Sequence, residues 1–108
     1  GIFMQSLDTV RFFVEYDANK YLGALLRLRR KELGISGQEL SGMLNISQQQ
    51  ISRYENGLTN FNIVILFRFF SSLGMTSEEV VRIFKELGLF YSDLNMSQYQ
   101  KLRIKEGS

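Results

Sequence analysis

Apolar side chains recur along this chain at intervals of three and four, and the intervals break at glycine. Leu22, Leu25, Leu26 and Leu33 share one face of a helix predicted over 19–33, with Asn19 placed to cap its start and Gly34 to stop it. Ser36 and Glu39 have the spacing of a capping box, which predicts a second helix over 37–44 with Leu40, Met43 and Leu44 turned inward. Asn45-Ile46 then leaves only a short link, and Asn tolerates the left-handed backbone such a link needs. Ser47 is a good N-cap for a third helix over 47–57, ended by Asn56-Gly57. Ile51 and Tyr54 lie three apart and so face inward together. Two short helices across a tight link form a helix-turn-helix.

The flanks read less sharply. Residues 61–73 are apolar almost all round, which periodicity alone cannot divide between helix and strand; length and context favour a helix ending at Gly74. A helix of that kind needs partners on both sides, some of them in a second chain. Thr76, Ser77 or both can cap a helix over 77–87, with Val80, Ile83, Phe84 and Leu87 inward and Gly88 as its stop. Residues 3–17 place Leu7, Val10, Phe13 and Val14 at helical spacing, although their β-branched and aromatic content also allows a strand. Residues 89–108 begin aromatic with Phe90 and Tyr91 and leave room for one more short helix near 96–104.

Composition narrows the classes. At 108 residues, 44% hydrophobic and without proline, the chain fits one mostly helical domain. Cysteine and histidine are both absent, so disulfides, a Cys/His zinc site and Cys- or His-based nucleophilic catalysis are excluded. That absence fits a reducing cytoplasm. The pair Glu78-Glu79 reads as first-turn helix charge rather than a catalytic dyad, so no enzyme, metal or cofactor is expected. No apolar run is long enough to span a bilayer, and no basic segment leads into an apolar core at the start, so neither a membrane anchor nor a signal peptide is expected. The net charge is only +2. The basic excess sits in 20–60, where Lys20, Arg27, Arg29, Arg30, Lys31 and Arg53 stand against Glu32, Glu39 and Glu55.

The third helix carries the chemistry. With Ile51 and Tyr54 inward, Gln48, Gln49, Ser52, Arg53 and Asn56 fall on the other face: amides, a hydroxyl and one guanidinium, with no acid. Gln suits a bidentate contact with adenine and Arg one with guanine, so this face could read a DNA major groove. Taken alone, it could equally be a solvated Gln-rich face.

Residues 22–57 resemble the Cro/C1-type (XRE) helix-turn-helix family of phage and bacterial transcription regulators. The likeness runs through Leu33-Gly34-Ile35-Ser36, Glu39-Leu40 and the run from Ile46 to Gly57. The whole chain also resembles the small regulators encoded in fimbrial operons of enteric bacteria, the MrpJ type, which implies control of fimbrial and motility genes. The resemblance implies an all-α, five-helix lambda-repressor-like domain over 19–88, with an N-terminal arm at 1–18 packing on the domain or a dimer partner and a C-terminal extension at 89–108. It implies base contacts by Gln48, Gln49 and Arg53, with Ser52 and Gln50 nearer the edge. It places phosphate contacts at Ser36, Gly37 and Asn56, to which the basic residues Arg27 and Lys31 add candidates. It pairs Arg30 with Glu55, a lock that with Ser47, Ile51 and Tyr54 holds the reading helix in place. Gly37 stands where the family often has Gln, Ser41 where it has Ala, and Asn45 where it has Gly.

The expected partner is double-stranded DNA at promoters, bound by a homodimer, because one helix reads only a few base pairs and affinity usually needs two half-sites. The alternative is a protein-interaction module, an antitoxin or adaptor, that keeps the fold without reading DNA.

Overall fold

Of the glycines and asparagines expected to end helices, all but Asn56 and Gly88 become left-handed turns. Gly34, Gly57 and Gly74 take φ of 71°, 71° and 62°, and Asn45 takes 54°. In the computed structural model, residues 18–107 are described, with their side chains as far as 92. They form α1 (Ala18–Glu32), α2 (Gly37–Leu44), α3 (Gln48–Glu55), α4 (Ile63–Ser72) and α5 (Ser77–Gly107), with no strand among the described residues. The domain is all-α. Of the arm predicted at 1–18, residues 1–17 lie outside the described residues, and Ala18 is already part of α1.

The turns close by one pattern. The N–H just after each left-handed residue bonds back to a carbonyl in the last turn of the helix: Ile35 to Arg30, Ile46 to Ser41, Leu58 to Arg53 and Met75 to Phe70. The next helices start on side-chain caps. Ser36 and Glu39 form the full capping box. The Ser47 hydroxyl accepts from the Gln50 N–H, and the Asn62 side-chain Oδ1 from the Ile65 N–H. Thr76 and Glu79 exchange hydrogen bonds in the same reciprocal way.

The core lies where α1, α2, α3 and α4 meet. Leu26, Leu40, Leu44, Ile51, Phe69 and Leu73 are fully enclosed, with Leu22, Ile65, Leu66, Phe70 and Ile83 around them. α3 packs on both α1 and α2, and α4 packs on α2. A wholly buried Leu or Ile contributes about 1.5–3 kcal/mol, against about 1 kcal/mol for a cap, so the core sets stability and the caps set where elements begin.

The structure departs from the sequence expectations at six places, one of them Phe84, expected inward but exposed on α5. Asn19 is not the cap of α1. It sits inside the first turn, buried, where its Nδ2 donates to Asn60 and its Oδ1 accepts from the Phe61 N–H. Leu33 is exposed because α1 ends at Glu32 and the chain is already turning. Met43 is exposed too: on so short a helix Leu40 and Leu44 fill the inward line, and residue 43 falls on its rim. α4 buries Ile65, Leu66, Phe69 and Phe70 but leaves Ile63, Val64 and Phe67 exposed, so the described residues cover it on one side only. Gly88 does not stop α5, which runs on to Gly107. Gly34 and Gly74 are each followed two residues later by a capping box, and Gly88 is followed by Leu89-Phe90. A glycine permits the left-handed turn, but without a cap for the next helix nothing rewards it. The helical glycine costs only about 1 kcal/mol.

Candidate nucleic-acid interface

α3 is held on its inner face and at its C-terminal end, and the turn leading into it is held as well. Below it, Tyr54, Phe61 and Phe69 form an aromatic trio, with ring centres 4.9, 5.5 and 5.6 Å apart. At its C-terminal end, Arg30 grips Glu55 with Nε and a terminal nitrogen at 2.6 and 2.9 Å, and its other terminal nitrogen donates to the Ile35 carbonyl at 2.9 Å. The Glu55 hydrogen bond raises the Arg30 pKa above its ordinary value, against the opposing effect of burial. From α1, Gly23 lies against the same end: a Cβ there would stand 2.7 Å from the Glu55 carbonyl oxygen and closer still to that of Tyr54. From α4, a terminal nitrogen of Arg68 donates to the Leu44 carbonyl, at the C-terminus of α2 and immediately before the turn into α3.

The opposite face of α3 is open. Gln48, Gln49, Ser52 and Arg53 are exposed and Gln50 is half-buried. Among the described residues none of the three glutamine side chains has a hydrogen-bond partner, so both groups of each amide remain available. Arg53 differs. Its Nε donates to the Thr59 hydroxyl at 3.2 Å and a terminal nitrogen to the Leu58 carbonyl at 3.3 Å. Asn56 turns its amide back to the Ser52 carbonyl and hydroxyl, so it finishes the helix while remaining exposed.

The phosphate candidates converge on the same side. Arg27, Gly37, Gln48, Ser52 and Asn56 line one open hollow of ≈ 220 Å³, with Arg30 and Glu55 at its base. Lys31 lines the adjoining hollow with Arg27, Asn56 and Lys20. Gly37 opens this space: a Cβ there would be 3.8 Å from Gln48 Cγ and Nε2, an ordinary contact, and no side chain of residue 37 occupies the gap. Ser36 lies at the helix start, but both its hydroxyl and its N–H are engaged with Glu39. What remains there for an anion is the free end of the helix dipole. Glu55, the acid nearest the hollow, is neutralised by Arg30, which leaves Arg27 to give the hollow a positive sign.

A family model described as helix-turn-helix matches residues 26–80, half of the chain, and spans all of α2, α3 and α4. The chain belongs to the XRE-type helix-turn-helix family. Comparison with the curated proteins and with the solved structures finds no match. The family is one of DNA-binding regulators, and α2 and α3 are the two helices of its helix-turn-helix. Among the described residues no helix is long and apolar enough to cross a membrane, and no cluster of acidic residues could hold a metal ion.

Three residues with contacts at or next to α3 escape the sequence. Gly23 left a faint trace, since a glycine inside a helical run can mark a packing need, although Gly42 and Gly88 look the same in sequence and have open space around them. Arg68 and Thr59 left none, because their contacts depend on which elements pack together. Arg29, part of the basic cluster in the sequence, proves structural. It donates to the Leu73 and Gly74 carbonyls at 3.2 Å each and lies 3.5 Å from Glu79, tying α1 to the start of α5.

Proposed function

We propose that this protein is a sequence-specific regulator of transcription that binds double-stranded promoter DNA in the cytoplasm, with the outward face of α3 in the major groove. The observation that carries the reading is the division of α3 into a face fixed by packing, an ion pair and the close approach of α1, and a face whose glutamine amides have no partner among the described residues. A rigid mount with unsatisfied donors and acceptors is what base reading requires, because the fork of each side chain must meet a fixed edge pattern. Gln48, Gln49 and Arg53 read bases, with Ser52 and Gln50 at the edge. Arg27, Lys31, Gly37, Asn56 and the helix start at Ser36 meet the backbone.

The regulator acts as a homodimer. Support comes from the exposed Ile63, Val64 and Phe67 on α4, beside Phe84 of α5, which stacks on Phe67 at 6.1 Å. Such a shelf suits a second copy of the chain, and two copies supply the two half-sites that short recognition helices need. Fimbrial and motility promoters are its targets on the strength of the resemblance to fimbrial-operon regulators alone.

The test is selection of bound duplexes from a random-sequence library, followed by titration at rising salt. A DNA reader enriches a defined motif and loses affinity steeply with salt, with a log–log slope of about −0.9 per phosphate neutralised. Absence of any enriched motif or any shift at low salt favours the second reading, a protein-interaction module, for which the same apolar shelf speaks. Light scattering at micromolar concentration checks the dimer, and a monomer mass contradicts it. Genome-wide footprinting of the wild-type protein checks the fimbrial targets.

A further inference from the structure

The turn that ends the recognition helix folds back onto one of its readers. Gly57 takes its left-handed φ and packs on Lys20, where a Cβ would meet Lys20 Cγ at 2.7 Å. The Leu58 N–H then returns to the Arg53 carbonyl at 2.8 Å. The turn is therefore fixed from both sides, and the residues just after it have a defined place. Thr59, half-buried, brings its hydroxyl to Arg53 Nε, and the Leu58 carbonyl meets a terminal nitrogen of the same guanidinium.

We propose that Thr59 is a positioning residue for base reading: it holds one edge of the Arg53 guanidinium so that the other edge is presented to DNA. The inference rests on the base-reading role of Arg53 proposed above and deepens it. A guanidinium carries five N–H donors in one plane, and the two contacts here consume two of them. The terminal fork stays free, and a terminal fork is enough for the two parallel bonds to guanine O6 and N7. An exposed arginine otherwise samples many rotamers and gives up that freedom on binding. Held by Thr59, it has given up most of it before DNA arrives. The gain falls on discrimination more than on overall affinity, since a loose arginine swings to the nearest phosphate and a held one does not.

The test is a double-mutant cycle on a duplex selected from random-sequence DNA by the wild-type protein, and on the same duplex changed at the base pair whose identity Arg53→Ala ceases to distinguish. Thr59→Val, which keeps shape and removes the hydroxyl, lowers discrimination between the two duplexes by about threefold to tenfold. Thr59→Ser keeps wild-type discrimination, and Thr59→Val has no further effect in the Arg53→Ala background. Thermal melts of each variant accompany the titrations, with Thr59→Ala as a second deletion of the hydroxyl should Thr59→Val fail to fold. Unchanged discrimination in Thr59→Val, where Arg53→Ala loses it, overturns the positioning role and leaves Arg53 as a reader. Equal weakening on both duplexes also overturns it, since that marks a structural role. If Arg53→Ala loses discrimination at no position, the reading beneath the inference has failed and the inference with it.

Discussion

Arg30 and Glu55 close a bidentate ion pair between α1 and the last residue of the recognition helix, with side chains only 12% and 5% exposed. Two charges this far from water need each other, and removing one strands the other. Glu55→Gln therefore destabilises the fold by about 3–5 kcal/mol, whereas replacing both partners by Met costs less than either single change. Urea denaturation of the two single variants and the double variant checks this. A loss below about 1 kcal/mol in Glu55→Gln would place the pair with ordinary surface bridges.

One substitution at two glycines has opposite signs. At Gly42 in α2 a Cβ would meet nothing within 4 Å, so Gly42→Ala gains the helix preference of alanine, about 0.5–1 kcal/mol. At Gly23 the same methyl would collide with the Tyr54 and Glu55 carbonyls, backbone atoms that cannot step aside. Gly23→Ala is destabilising by about 2–4 kcal/mol, and because the collision pushes on α3 it weakens DNA binding as well. Melting of both variants is the check, and a stabilising Gly23→Ala would contradict the packing.

Arg68 supplies a cation to a carbonyl at the C-terminal end of α2, where the helix dipole is negative. Arg68→Met keeps the apolar stem and removes the charge. It costs about 1–2 kcal/mol in stability and loosens the turn between α2 and α3. Amide exchange at Asn45 and Ile46 reads that loosening directly, and unchanged exchange rates would sever Arg68 from the turn.

Glu79 titrates below the ordinary carboxylate value. The Thr76 backbone N–H is the main cause, followed by the Thr76 hydroxyl and then by the charges of Arg29 and Arg82. A carboxylate with a lowered folded pKa contributes stability above its unfolded pKa, and that contribution is lost as pH falls through the folded value. Thr76→Val removes the hydroxyl and moves the Glu79 midpoint up toward the ordinary value. Carboxyl carbon NMR shifts across an acid titration check both statements, and a wild-type midpoint at or above the ordinary value contradicts them.

Local signals carried most of the fold. Gly34 and Gly74 were legible as helix ends because a cap for the next helix follows each within three residues, Ser36 after Gly34 and Thr76 or Ser77 after Gly74. Gly88 misled because half of that signal is missing. Asn19 looked like a cap from its neighbours, yet its partners are Asn60 and Phe61, some forty positions away. The outward face of α3 followed from Ile51 and Tyr54 being three apart, and the structure buries both. The Arg30–Glu55 pair came through family resemblance, since residues 25 apart carry no spacing signal of their own. Thr59 and Arg68 were silent because a side chain that holds another acts through tertiary geometry, which one sequence does not display.

The most direct test of the account compares wild type and Gln49→Ala by fluorescence anisotropy on a selected duplex and on a scrambled duplex of equal length. Reading by the outward face of α3 predicts that Gln49→Ala loses about 1–3 kcal/mol on the selected duplex and almost nothing on the scrambled one. Equal affinity of the two proteins for the selected duplex would contradict it.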